Sequence, residues 1–401
     1  MNAIINVAKR ELERIASSKI YIFLLFILPV TLFVFLAYIF LEGVVRDIPV
    51  AVCNADNGEL SRTFTNMIES TGSMKIVKYV ESETLLREEF LNGNIYAGFY
   101  IPGGFEADIK SGKGSSVVVY NNTTNLITGN TVLKDATTFI KTFSAGVLLK
   151  KIRSKGVVEE QAMNILNPVK IDTHALYNPN YNYLNYLVPG LIPVMFQMII
   201  MLLSAILISS EFSGNSLVSL FEAAENKVYA VIIGKSIPHL IIYLSTVFLI
   251  LGVVYPFFKI EITGSIVYIL LCFTLFIFSC FFYGLMISCF SKNYLQTTEI
   301  SLFINTPAFI FSGFIFPLWA MPAPHTWFAQ LMPFTHFIDG YLKLGVMGTS
   351  LSSAMPQILR LSGFVIIPFI IIYVFLLIHK KKILSNTEGE YILDKEETVD
   401  V

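Results

Sequence analysis

Polarity alone divides the chain. Six long stretches carry no charged residue: Ile20–Leu41, Thr173–Ser210, Ser236–Phe258, Ile262–Ser291, Ile300–Ile338 and Leu361–His379. A helix rises about 1.5 Å per residue, so roughly 20 apolar residues cross a ~30 Å hydrocarbon core, and each stretch holds one crossing. The pattern predicts an α-helical polytopic membrane protein with six transmembrane helices. Pro238 should kink the third, Val228–Tyr255. Pro317, Pro322, Pro324 and Pro333 forbid one continuous helix through the end of the fifth stretch. The segment 317–345 therefore reads as short helices dipping back from the outer membrane face. Beyond the last span, residues 383–401 read as a polar, mobile tail.

Between the first two spans the pattern changes period. Residues 43–182 alternate strand-like and helix-like runs: strands at Ile48–Asn54, Met74–Val80, Ile95–Ile101 and Ser115–Asn121, helices at Leu60–Glu69, Ser82–Leu91 and Thr124–Lys155, and a further helical piece near Val157–Leu166. Such alternation predicts an inserted α/β domain. Gly103-Gly104 and Gly112–Gly114 mark turns, and the Asn121-Asn122-Thr123-Thr124 sequons read as a polar turn.

Composition sharpens this division. The chain is 54% hydrophobic and 14% charged, where a soluble domain carries about 25% charge. The insertion balances its basic and acidic residues, which gives no support to nucleic-acid binding. Lys9, Arg10, Arg14, Lys19, Lys227, Lys235, Lys292 and Lys380–Lys382 cluster on one side of the spans. The positive-inside rule makes that side cytoplasmic, with both termini on it and the insertion outside. Ile20–Leu41 is too long and too aromatic for a cleaved signal core. Only Cys53 of four cysteines lies outside the spans, so neither an internal disulfide nor a metal pattern is available to the insertion.

Two short amphipathic elements stand apart. In 1–19, Ile5, Ala8, Leu12 and Ile15 share one helical face, while Lys9, Arg10, Glu13, Arg14 and Ser17 share the other, as in an interfacial helix. In 209–227, Leu217, Leu220, Phe221 and Ala224 fall at helical spacing, with Glu222 and Glu225 off that face. That helix reads either as a linker lying on lipid or as a knob that docks a soluble partner.

Catalytic chemistry is sparse. Gly234-Lys235-Ser236 imitates a phosphate loop, but Tyr229 stands where the loop needs glycine and no strand precedes it. The chain is expected to have no nucleotide site, no cofactor and no enzymatic activity. An ion-driven carrier needs ionisable groups deep in the membrane. Glu42, Glu211, Glu299 and Arg360 sit at span ends, and the span cores offer polar neutrals such as Gln197, Asn305 and Thr306. Gln197, Asn305 and Phe311 are candidates for a translocation path; the competing reading of the amides is helix–helix hydrogen bonding. His325, His336 and Asp339 match no metal-ligand spacing.

The stretch SSEFSGNSLVSLFEAAENKVYAVIIGKSIP resembles the loop after the second membrane helix of ABC-2-type transporter permeases. Glu211, Ser216, Leu217, Leu220, Phe221, Gly234 and Lys235 match that family's pattern, while its Gly-Thr pair is replaced here by Gly214-Asn215-Ser216. The runs IPVAVCNADNGELSRTF, NIYAGFYIPGGFEADIKSG and VVVYNNTTN resemble the domain of the subfamily with a large first outer loop, so the likeness covers nearly the whole chain.

The resemblance implies an exporter subunit of a bacterial inner membrane, paired with a second permease copy or paralogue and with an ABC ATPase. In it, Glu211, Ser216, Leu217, Leu220, Phe221 and Glu222 would form the coupling loop. Arg10 and Arg14 would lie on a connecting helix touching the ATPase, and a periplasmic adaptor is a further partner. The alternative is a receptor or assembly factor whose spans only anchor it.

Overall fold

The computed structural model describes residues 2–157, 174 and 176–397, with side chains through 382. It forms two compact units: Met1–Gly43 together with Leu176–Val401, and the insertion Val44–Ala175. In chain order the first unit begins with α1 (Asn2–Ser17) and α2 (Lys19–Ile39), separated by extended Ser18, whose Oγ accepts from Tyr21 N.

The insertion follows as β1 (Ile48–Asn54), α3 (Glu59–Glu69), β2 (Met74–Tyr79), α4 (Glu83–Leu91), β3 (Ala97–Ile101), α5 (Phe105–Ser111), β4 (Val118–Asn121) and α6 (Leu126–Arg153). Its sheet has the order β2-β1-β3-β4, with β1 parallel to both neighbours and β4 antiparallel to β3. β1 explains its own sequence. Val50 and Val52 face Phe64, Phe99 and Phe139 on one side, while Ala51 and Cys53 face Leu86 and Ile95 on the other. A central strand buried on both faces reads as an unbroken apolar run. The Asn-Thr stretch is a turn: Asn122 Oδ1 accepts from Thr124 N at 3.0 Å, and Asn125 caps α6 by accepting from Ile127 N at 2.9 Å. The expected strands and three helices form within a few residues of their predicted ends. The seven-residue α5 was hidden behind its flanking glycines. The helix expected near Val157–Leu166 lies almost wholly outside the described residues.

The first unit resumes with α7 (Tyr183–Ala205), α8 (Ser209–Ser213), α9 (Leu217–Ala223), α10 (Val228–Leu249), α11 (Ile266–Ile287), α12 (Tyr294–Asn305), α13 (Ala308–Phe311), α14 (Ala323–Gln330), α15 (Pro333–Tyr341) and α16 (Met355–Glu397). Among the described residues five helical stretches are long and apolar enough to cross a membrane: Lys19–Ile39, Tyr183–Ser213, Val228–Phe257, Ile266–Ile287 and Leu351–Lys382. The predicted fifth span instead forms α12 to α15 in pieces. Pro307 lacks the N–H that would continue α12, and the later prolines repeat the interruption. Elsewhere proline is absorbed, since Pro238 lies inside α10. The last helix continues past the expected end of the span to Glu397; no proline interrupts 383–397.

The core of this unit is built around α7, whose Val188, Ile192, Phe196 and Ile200 are fully buried. Phe196 meets Phe33 of α2 and Tyr243 of α10 edge-on, with ring centroids 5.6 and 5.8 Å apart.

In the insertion, a Cβ on Gly98 would sit 2.9 to 3.0 Å from the fully buried Leu86 side chain. Gly98→Val should therefore destabilise that unit by about 1–3 kcal/mol through overpacking. Limited proteolysis of the full chain should show faster cleavage within residues 44–175, and an unchanged cleavage rate would count against this packing.

Candidate functional site: a buried charge cluster among four helices

The short elements α1, α8 and α9 meet the start of α10 around a knot of charges. α1 gets close because of Gly234: a Cβ there would lie 2.5 Å from Val7 Cβ and 3.0 Å from the Ile4 carbonyl oxygen. With α1 seated, Ala3, Val7, Glu11 and Ile15 form its buried row, one residue per turn. The next residue of α10, Lys235, then reaches two acids at once. Its Nζ is 2.7 Å from Glu11 Oε2 and 2.7 Å from Glu211 Oε1. All three side chains are within 4% of full burial.

Both carboxylates are saturated from several sides. Arg10 Nη2 donates to Glu211 Oε2 at 2.8 Å, Arg14 Nη1 lies 3.6 Å from Oε1, and Ser216 Oγ also donates to Oε2. Arg14 Nη2 donates to Ser210 Oγ at 2.8 Å, tying α1 to α8 a second time. His239, one turn beyond Lys235, places Nε2 3.2 Å from Glu11 Oε1. Two carboxylates thus face three permanent cations and an imidazole. Burial works to raise the Glu11 carboxyl, but Lys235, then His239 and Arg14, overcome it and hold the group well below the ordinary carboxylate range.

The loop itself departs from expectation. Leu217, Leu220 and Phe221 are buried in this chain's own core and do not project as a knob. α9 lies against α1, α8 and α10, so its apolar face is already used. What α9 offers outward is Val218, 49% exposed, together with Ser219, Glu222 and Glu225. On α1 the expected apolar face is split. Ile15 faces inward, whereas Ile5 and Leu12 are more than half exposed.

Of the predicted coupling residues, Arg10, Arg14, Glu211 and Ser216 come together in the cluster, and Glu222 stands on the open face. Sequence reasoning missed Glu11 and His239 and placed Lys235 in a water-facing flank. The expectation that ionisable groups occur only at span ends is corrected by Lys235 and His239, both buried in the third and fourth turns of α10. The four-residue row Ala3-Val7-Glu11-Ile15 was the available signal, since an acid inside an apolar row needs a buried cation.

Two of the candidate path residues pair with each other. Gln197 Nε2 donates to Asn305 Oδ1 at 3.1 Å, Asn305 Nδ2 donates to Ser301 O at 2.9 Å, and both amides are buried. They join α7 to α12 as a helix–helix hydrogen bond. Phe311 is half-buried and stacks on His325, centroids 5.7 Å apart. His336 Nε2 pairs with Gln330 O at 2.9 Å, and Asp339 pairs with Lys343 at 3.0 Å. Among the described residues no group of three His, Cys, Asp or Glu side chains could hold a metal.

Lys235→Met would leave Glu11 and Glu211 buried without their shared cation, which costs about 3–5 kcal/mol. Thermal unfolding of the purified chain at neutral pH should show the loss, and adding Glu11→Gln should restore part of it. The sign with pH follows from the lowered Glu11 value. Its contribution is complete above the ordinary glutamate value of 4.5 and falls as acidification approaches the lower folded value. Glu11→Gln should lack that share of acid sensitivity, and identical acid unfolding of the two proteins would refute the assignment.

Comparison with known proteins places the chain. The profile of the ABC-2 family transporter proteins matches residues 19–374. ABC transporter G family member 20 of Dictyostelium discoideum is 24% identical over 86% of this chain and 46% of its own length. The probable multidrug ABC transporter permease YbhR of Escherichia coli K12 is 26% identical over 41% of this chain and 44% of its own. The aligned chain thus spans about half the length of these curated relatives. The family match covers both units and every element of the charge cluster from Glu211 onward, and on that basis the chain belongs to the ABC-2 family of transporter proteins.

Proposed function

We propose that the chain is the membrane-spanning permease subunit of an ATP-driven exporter, with nucleotide hydrolysis on a separate ATPase and a second permease copy or paralogue beside it. The observation that carries the reading is the buried cluster joining α1, α8–α9 and α10. A bundle that merely anchored a receptor would have no use for two short surface elements locked by buried charge to a spanning helix. A subunit that accepts force from outside the membrane does.

In this reading the ATPase seats against the open face of α9, formed by Val218, Ser219 and Glu222, with the polar side of α1 beside it. The buried residues Leu217, Leu220 and Phe221 act one layer deeper, passing displacement of α9 into α1 and α10. Nucleotide drives transport only if it binds the two conformations of the assembly unequally, so the moving elements must have two packed arrangements. The side bearing α1 and α9 is cytoplasmic, the insertion is extracytoplasmic, and the broken helices α12–α15 complete a sixth crossing. The insertion then receives cargo or docks a periplasmic adaptor. The multidrug name of YbhR favours small apolar or amphipathic cargo.

Co-purification tests the coupling. Val218→Glu with Glu222→Lys should lower ATPase recovery several-fold while leaving membrane insertion and unfolding temperature unchanged. Phe221→Glu should instead lower the unfolding temperature, because it buries a charge. Full ATPase recovery with the surface pair would sink this docking face. Cysteine labelling adds the topology: position 90 should react from outside and position 225 from inside.

A further inference from the structure

Arg360 heads a groove on the surface of the spanning bundle. The groove encloses about 550 Å³ between α11, α14–α15 and α16, and its walls include Met286, Leu331, Phe364, Ile367 and Ile371. Leu331, Ile367 and Ile371 are 59%, 61% and 40% exposed, so none of the described residues covers them. From Arg360 to Ile371 the helix climbs about 16 Å, roughly half of a ~30 Å hydrocarbon core. The groove is one leaflet deep.

The mouth is cationic. Arg360 Nη1 donates to the Gln330 side-chain oxygen at 3.1 Å, a neutral partner, and Arg360 forms no ion pair among the described residues. The nearby carboxylate of Asp339 is already held by Lys343 at 3.0 Å and by Gln357 Nε2. His336 turns its Nε2 to the Gln330 carbonyl and offers no negative charge. A guanidinium presents five N–H donors in a fork that suits phosphate, and one of them is occupied here. A free anion would use the mouth and leave the groove empty.

We infer that this groove seats an acyl chain of an anionic glycerophospholipid whose phosphate-bearing head pairs with Arg360, making it a site that selects anionic over zwitterionic lipid. The inference rests on the spanning helices and family membership, and is independent of the ATPase docking face.

Native mass spectrometry of the delipidated full-length chain can read this directly, with phosphatidylglycerol or phosphatidylcholine of matched acyl chains added. Phosphatidylglycerol should be retained about fivefold more tightly, the usual worth of one cation near an anionic membrane surface. Arg360→Gln should erase the difference and Arg360→Lys should keep part of it. Gly363→Trp should weaken retention of both lipids. A Cβ at Gly363 meets no atom within 4 Å, so the ring can enter the groove without disturbing the fold. Equal retention of the two lipids by the unaltered chain, or a preference surviving in Arg360→Gln, would overturn the proposal. So would a shift from dimer to monomer in Gly363→Trp with lipid retention unchanged, because the groove would then be the seat of a second copy.

Discussion

A lysine shared between two buried carboxylates sets the geometry of the membrane unit's short elements. Taking a carboxylate or ammonium out of water costs several kcal/mol even after relaxation, and only close, multiply bonded partners repay it. Lys235, Glu11 and Glu211 meet that condition because each is supplied from a different element. The arginines of α1 and Ser216 ahead of α9 fill the remaining acceptor positions of Glu211. Gly234 belongs to the same arrangement, since without its missing side chain α1 could not come near enough for Glu11 to be reached. The pair Gly234-Lys235 is thus a steric permission followed by an electrostatic tether.

The remainder of the bundle can be less exacting. α7 packs through ordinary aliphatic and aromatic contacts, and one buried amide pair, Gln197 with Asn305, holds α12 to it. That bond has a positional meaning. α12 is only twelve residues long before Pro307 ends it, so it lacks the extended packing that registers a full span. A specific polar contact near its last turn supplies the register that length cannot. Of the two readings weighed for these amides, the bond between α7 and α12 is the one the geometry displays.

Most of the fold was legible because the membrane and the sheet impose strong periods. Uncharged windows marked six spans, five of which form as long helices; the apolar run of Ile48–Asn54 marked β1, and the stretch Thr124–Lys155 marked α6. The failures share one cause. An amphipathic pattern says that a face is apolar without saying what covers it. Leu217, Leu220 and Phe221 have the spacing of a docking knob and also that of a helix packed on its own bundle. The outward placement of Ile5 and Leu12 alongside inward Ile15 shows the same ambiguity on α1. Charges mislead in the opposite way. Lys235 looks like a flanking residue until α1, more than 200 positions earlier in the chain, brings Glu11 against it. Nothing near Lys235 itself announces that partner; the one trace is the acid set in the apolar row of α1.

The cluster also limits how the loop carrying α8 and α9 can move. Suppose α9 and α8 were pushed while α1 and α10 stayed still. Glu211 would then leave Lys235 and the two arginines, stranding buried charges at about 3–5 kcal/mol for a broken pair. If all four elements shift together, every one of those contacts is preserved and the cost falls on apolar surfaces, which slide past one another more cheaply. In the proposed coupling, a load on the outer face of α9 is therefore carried into α10 as a rigid-body displacement before it deforms the loop. The inward-facing Leu220 and Phe221 act in the same sense, because helices packed at interior density move as bodies between discrete arrangements. In the proposed coupling, the buried charges thus make the surface loop the short arm of a lever whose long arm is α10.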